Sequence, residues 1–330
     1  MVDVTVSGVA VPTHKIEAVR RGGAGDARFR AMTLTASILV LVIFAGVMIA
    51  LGIGAAPAIK AYGIDFLTSQ KWNPVTERFG GLASIYGTII TSVIAMVMAV
   101  PVGIGIAIFL TEICPRSLRR PIGIAIELLA GIPSIVYGIW GLFTFAPYFQ
   151  EHIQPWIVDS VVDIPILQDF LAGPPYGIGI FTAAFILMIM ILPFISAVTR
   201  DVFETVPVTL KESAYAMGCT TWEVVWHVVL PFARTGVVGG AMLALGRALG
   251  ETMAVTFVIG NAHRIAASLF APGTTISATI ANEFTEAVGD LYRSSLIELG
   301  LILFFITFVV LASAQIMLRA LERRAGGLKG

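Results

Sequence analysis

The chain is short of charge. Of its 330 residues only 13% are Asp, Glu, Lys or Arg, about half the roughly 25% of an ordinary soluble domain. With 57% hydrophobic residues and a mean hydropathy of +0.90, too little polar surface exists to cover the core that a chain of this size would bury. That excludes a soluble enzyme, a disordered chain and a nucleic-acid binder resting on a basic surface. Acidic and basic residues balance at 21 each, so net charge by itself points to no partner.

Other shortages exclude other chemistry. There are two cysteines, Cys114 and Cys219, with no metal-ligand spacing around them, and they read as inert reduced thiols. His14, His152, His227 and His263 are scattered without ligand spacing, which argues against a metal site. None of the five lysines follows a glycine. A P-loop needs G-x-x-x-x-G-K-[ST] to cradle phosphates, so ATP and Mg, if they power this protein, are bound by separate subunits. No ten-residue stretches alternate with period 2, which disfavours a β-barrel.

What is abundant is long apolar runs. A helix needs about 20 such residues to cross a hydrocarbon core about 30 Å thick. Six segments qualify: Leu34–Ala56, Ser84–Thr111, Ile122–Phe145, Gly177–Val198, Gly236–Ile259 and Ser295–Leu318. The first is too long for a cleaved signal and lacks a convincing cleavage site, so it is read as a retained helix. The fold class expected is an all-α integral membrane protein with six transmembrane helices.

Orientation follows from the cations. With a cytoplasmic N-terminus, fifteen lie inside, among them Lys15, Arg20, Arg21, Arg116, Arg119, Arg120, Arg200, Arg234, Arg319 and Lys329; five lie outside. That bias places both termini in the cytoplasm. The layout expected is a cytoplasmic tail (1–33), a first span (34–56), an outer loop (57–83), a core (84–318) holding an inner loop (200–234), and a cytoplasmic tail (319–330). The basic N-terminal tail reads as a solvated topogenic segment near anionic lipid headgroups. The outer segment Ala146–Tyr176 carries Glu151, Asp159, Asp163 and Asp169 with no basic residue. A second outer segment, Asn261–Ser294, is expected to include a short helix through Ile276–Glu286.

The inner loop predicts a knuckle of two short helices. Pro207 suits a first helical turn, and Gly218 suits the left-handed position after a helix end. Thr220 and Glu223 have capping-box spacing, and the second helix is expected to stop at Leu230-Pro231. Within the knuckle, Glu212-Ser213-Ala214, three residues, Gly218, nine residues and Val228-Val229-Leu230-Pro231 resemble the E-A-A…G…I-x-L-P loop of ABC importer permeases. Serine and valine replace the family's alanine and isoleucine. The resemblance implies that Glu212, Ser213, Ala214, Gly218, Leu230 and Pro231 belong to a coupling element received by an ATP-hydrolysing subunit.

The fifth span carries Arg247 and Glu251. A charge at mid-membrane depth costs about 2.5 kcal/mol or more. On a continuous helix Gly236, Gly240, Ala244, Arg247 and Glu251 fall at about 0°, 40°, 80°, 20° and 60°, so small residues and charges share one face. Two readings stay open on these residues. One is an i,i+4 ion pair that fixes helix packing; the other is an arginine fork offered to an oxyanion, neutralised by the glutamate in its absence.

Gly246-Arg247-Ala248-Leu249-Gly250-Glu251-Thr252-Met253-Ala254-Val255 is similar to the signature of phosphate importer permeases of the PstC type. So are Gly131–Gly138, Leu269–Gly273 and Ile280–Phe284. The resemblance runs from about Phe66 to Arg319 and implies the MetI-like architecture of that family. It also implies a substrate path at Arg247 and Glu251, a sister permease of the PstA type, two ATP-binding subunits and an extracytoplasmic phosphate-binding protein. Another oxyanion such as molybdate or sulfate is the neighbouring reading, and an ion-driven secondary carrier the more distant one. Pro133 and Pro193 are expected to kink their spans. Tyr137 reads as packed or interfacial, Glu127 as lying near an inner span end, and Glu298 as interfacial.

Overall fold

A computed structural model describes residues 23–161, 170–171 and 173–326. His14, Lys15, Arg20, Arg21, Asp163, Asp169 and Lys329 lie outside the described residues. The chain divides into two units, residues 1–53 and 54–330. In the first, the described part is the opening of a long helix, α1 (Gly23–Tyr62), whose side chains from Leu34 to Ile53 are mostly exposed apolar groups. An apolar surface of this kind suits lipid rather than water.

Among its described residues the second unit is built of helices joined by turns and irregular loops, with no strand beyond one isolated bridge between Asn73 and Arg78. After the end of α1 come α2 (Asp65–Thr68), α3 (Leu82–Ile108), α4 (Arg116–Ala130) and α5 (Ser134–Trp140). Then follow α6 (Ala146–Tyr148), α7 (Gln154–Val161), α8 (Ile180–Glu204), α9 (Val208–Ala216) and α10 (Thr221–Val224). The last are α11 (Leu230–Leu249), α12 (Met253–Val258), α13 (Ile276–Glu283) and α14 (Asp290–Gly326). Five stretches are long and apolar enough to cross a membrane: Gly25–Tyr62, Leu82–Ile113, Ile180–Glu204, Thr221–Leu249 and Asp290–Ala320. A sixth exists if Arg116–Ala130 and Ser134–Ser160, bent by 87°, count as one span.

Three expectations need correction. The segment Ile122–Phe145 bends at Pro133 as expected, but the helix breaks there rather than kinks: α4 stops at Ala130, and the chain turns at Gly131-Ile132-Pro133. Proline disfavours a helical conformation for Ile132 and has no N–H to continue the ladder. Second, much of the expected outer loop Ala146–Tyr176 is helix. Single π turns at Gly141–Phe145 and Phe149–Ile153 join α5, α6 and α7 without a stop. Third, Leu230-Pro231 does not end a helix. A π turn over Val225–Val229 joins α10 to α11, and the wider turn lets the chain pass a residue that lacks an N–H. Pro193, by contrast, sits inside an unbroken α8.

The packing rests on α8, which is buried along much of its length and lies against α3, α4 and α11. Small residues set the spacing. A Cβ added at Gly236 would meet Val202 at 2.6 Å, and one at Gly240 would meet Val198 at 2.7 Å. The small-residue face of α11 is therefore closed against α8, as close helix approach requires. Gly103 of α3 meets Ile195 of α8 in the same way, at 2.7 Å.

Candidate functional site

The continuous fifth helix assumed from the sequence breaks beside its charges. Helix α11 ends at Leu249, Gly250 has φ −92° and ψ 1°, and α12 begins at Met253. Arg247 occupies the last turn of α11, where the helix dipole favours a cation, and its side chain is exposed. Glu251 lies in the break and turns the other way: its Oε1 accepts from the Ala254 N–H at 3.2 Å, at the start of α12. No ion pair joins Arg247 to Glu251 among the described residues. The i,i+4 pairing is thus corrected, because the two residues are not on one helix. What remains is an unpaired guanidinium at the broken middle of an apolar stretch.

Neighbouring elements hold that break in place. Gly138 of α5 approaches α12 so closely that a Cβ would lie 3.1 Å from the Ala254 Cα and from the Met253 carbonyl oxygen. The motifs Gly131–Gly138 and Gly246–Val255, far apart in sequence, meet here. Tyr137 is buried and donates its hydroxyl to the Leu129 carbonyl at 2.7 Å, bridging the α4–α5 turn. It is therefore a packed tyrosine. Beyond α12, the Leu269–Gly273 segment is tied to the start of α8 by Phe181 N–H to Leu269 O, 2.8 Å, and to α12 by Gly273 N–H to Ile259 O, 3.0 Å. Helix α13 is capped by the Thr275 side chain and fastened to α3 through Ile276 N–H to Thr88 Oγ1, 2.9 Å.

The knuckle forms with the chemistry its sequence predicts. Helix α9 closes on a full Schellman motif. Gly218 N–H donates to Tyr215 O at 2.9 Å, Cys219 N–H donates to Ala214 O at 3.2 Å, and Gly218 has φ +88°. Thr220 and Glu223 complete the capping box. Pro207 stands one place earlier than expected, at the N-cap. Glu212 and Ser213 are exposed, with Ser213 Oγ donating to Thr209 O, whereas Ala214 is buried. Ala214 belongs to a cluster with Phe203, Val206, Val224 and Val229, against which Leu230 packs. Pro231 is exposed. Around this anchored base the surface is apolar: Leu210, Tyr215, Met217, Trp222 and Trp226 are all exposed.

Three connections were not visible in the sequence. Lys211 Nζ lies 2.6 Å from Glu112 Oε1, joining α9 to the π turn after α3. Glu127 of α4 pairs with Arg200 of α8 at 2.7 Å. Glu283, at the end of α13, accepts from His263 (2.8 Å), Trp72 Nε1 (2.6 Å) and the Tyr292 hydroxyl (2.6 Å), while Trp72 stacks on His263. Burial pushes the Glu283 carboxyl up, but the bonds from His263, Tyr292 and Trp72 outweigh it and hold it below the ordinary carboxylate range. Glu298 is buried rather than interfacial, on the packed side of α14 with Ser295, Leu296 and Leu299. Lys211–Glu112 and Trp72–Glu283 are 99 and 211 residues apart, and pairs so distant leave no local signal. Only the Gly-x-Pro and Gly-Glu-Thr stretches marked, in retrospect, where helices break.

The comparisons agree with this architecture. Residues 99–327 match the family described as "Binding-protein-dependent transport system inner membrane component". The chain is 65% identical over 317 residues to a phosphate transport system permease protein PstC of Mesorhizobium japonicum, covering 96% of this chain and 97% of that one. It is 56% identical to the protein of that name from Pasteurella multocida, covering 90% and 93%. Among solved structures, a bacterial ABC transporter involved in alginate import aligns with a TM-score of 0.61 at 17% identity, over 93% of this chain and 99% of that one. An inward-facing MetNI methionine ABC transporter aligns with a TM-score of 0.53 at 17% identity, over 72% and 94%. These two establish a shared ABC-permease fold. The chain is a multi-pass inner-membrane protein, and it belongs to the family of binding-protein-dependent transport system inner membrane components.

Proposed function

We propose that this chain is the membrane-spanning permease subunit of an ATP-driven importer of inorganic phosphate. The observation that carries the reading is the 51–65% identity, over nine-tenths or more of both chains in all five cases, to permeases named for phosphate transport. It is a transport subunit, working with ATPase subunits and an extracytoplasmic binding protein. More finely, its sister in the membrane is a permease of the PstA type, two ATPase subunits bind ATP and Mg, and the binding protein delivers phosphate. Both termini of the chain lie on the cytoplasmic side.

Arg247 is the residue of this chain assigned to the substrate path. A planar guanidinium offers two parallel donors to a phosphate oxyanion. No acidic side chain among the described residues pairs with it, which leaves those donors free. Glu251 completes the path: its side chain is held by the Ala254 N–H at the start of α12 and so does not quench the arginine. The knuckle of Glu212, Ser213, Ala214, Gly218, Leu230 and Pro231 is the part that receives movement from an ATPase subunit. Its buried side is packed to α3 and α8, so a push on the exposed side is passed to the spans as a rigid-body displacement.

The reading is tested by reconstituting the assembled complex in vesicles and following uptake of labelled phosphate. Uptake should need ATP and be competed by unlabelled phosphate well before molybdate or sulfate. Uptake competed equally by those anions would replace the cargo. Uptake that persists without the ATPase subunits would replace the mechanism.

A further inference from the structure

The end of α8 and one side of α4 line an open cavity of about 330 Å³ that the transport reading does not use. Four arginines line it: Arg116, Arg119 and Arg120 from α4, and Arg200 from α8. Two glutamates, Glu127 and Glu204, also line it. Arg200 is already matched, by Glu127 at 2.7 Å and Asp201 at 2.9 Å. Gly123 makes room for it, since a Cβ there would lie 3.1 Å from Arg200 Nη1. Arg119 donates from Nη2 to the Thr111 carbonyl at 2.6 Å, but its Nε is buried with no partner. Arg116 and Arg120 have no acidic partner among the described residues.

Three cations at this place are energetically misplaced. They fill the first turns of a 15-residue helix that has no acidic residue in its first turn. Its N-cap, Pro115, supplies no side-chain hydrogen bond. The positive end of a helix dipole repels cations and favours anions, and the first N–H groups need acceptors. The arrangement is relieved when a multivalent oxyanion sits among the arginines and accepts from them. Carboxylates do so for Arg200 only. A need for positive charge near the end of a span accounts for cations in this region; it does not account for their convergence on one cavity with a buried, unsatisfied Nε.

Away from the cavity, α4 exposes Leu118, Leu128 and Leu129. The helix is thus basic on one side and apolar on the other, the pattern of a segment lying at a membrane interface. Basic pockets between membrane helices suit phosphate headgroups.

We propose that the Arg116–Arg119–Arg120–Arg200 cavity binds a phosphate group, carried by an anionic phospholipid headgroup or by free inorganic phosphate. Both sources present the same tetrahedral oxyanion to the arginine forks. The site does not depend on what the transporter carries.

The test uses the full chain purified in mild detergent, with two probes kept apart. Phosphatidylglycerol retention is read by native mass spectrometry, and inorganic phosphate by the shift in melting temperature. Wild type should hold one of the two, and Arg116→Gln/Arg120→Gln should weaken that binding about thirty-fold, the effect of two lost interfacial cations. Arg319→Gln, a cation removed elsewhere on the chain, should leave it unchanged. Retained lipid lost in the double variant assigns the site to the headgroup; a phosphate-dependent shift lost there assigns it to the free ion. Equal behaviour of wild type and the double variant toward both probes overturns the proposal. So does an equal loss in Arg319→Gln, which would mean unspecific charge attraction. If the double variant does not fold, Arg120→Gln alone supplies the same comparison.

Discussion

Lys211 and Glu112 stand 99 residues apart in sequence and 2.6 Å apart in the fold, with both side chains mostly buried. The pair ties the exposed α9 helix of the knuckle to the end of α3. A movement of the knuckle is therefore passed to a membrane span through a charged link as well as through apolar packing. Removing one partner strands a charge at a site poor in water. Glu112→Gln or Lys211→Met should each cost about 3 kcal/mol, the range for a broken buried pair. Glu112→Leu/Lys211→Leu should recover most of that loss. Denaturant melts of the purified chain measure it, and additive losses in the double variant would refute the pairing.

Gly218 takes φ +88° with open space around its absent Cβ. The obstacle to a side chain is thus backbone strain rather than collision. Gly218→Val should cost about 1–2 kcal/mol, the penalty for a branched residue in a left-handed conformation. It should also loosen the knuckle enough to separate ATP hydrolysis from transport in the assembled complex. Gly218→Asn, which tolerates that conformation, should keep coupling closer to wild type. The ratio of phosphate moved to ATP hydrolysed is the measurement.

Arg247 has no acidic partner among the described residues and sits at the end of α11 beside the break at Gly250–Thr252. Arg247→Ala should lower phosphate uptake at least about tenfold, the effect of losing one charge-assisted contact of about 1.5–3 kcal/mol. Arg247→Lys should restore uptake only in part, since an ammonium lacks the planar fork. Membrane insertion and ATPase assembly, followed by purification of the complex, should be unchanged. Full uptake by Arg247→Ala would remove the residue from the path.

Glu283 is held below the ordinary carboxylate range by three donors, against its own burial. A depressed folded-state pKa contributes stability above the unfolded value, about 4.3. That stability is lost as pH falls through the lower folded value. The difference in melting temperature between wild type and Glu283→Gln should therefore be largest near neutrality and shrink below about pH 4. A difference independent of pH would mean that the carboxylate's charge plays no part in joining Trp72, His263 and Tyr292.

Much of this architecture was legible because its causes are local. Scarce charge and long apolar runs dictated membrane helices, since a bilayer leaves backbone groups no partner outside the chain. Gly218, Thr220 and Glu223 spelled out the knuckle's turn and cap, because those bonds form within five residues. The same logic overreached at Leu230-Pro231. There a π turn, whose cost is repaid by packing of Val225 and Val229 in the core, carries the helix through.

The sequence by itself determined that the chain lives in a membrane, where its spans begin to be possible, and which segment projects as a capped knuckle. The tertiary structure alone decided that Arg247 and Glu251 part company at a helix break, that Lys211 finds Glu112, and that four arginines converge on one cavity. A helix wheel assumes an unbroken helix, and no local rule reports that Gly138 packs against α12 at the break. Long-range ion pairs depend on which helices lie side by side. Close approach of small residues such as Gly236 and Gly240 to α8 settles that arrangement, and the charges then pair where the packing puts them.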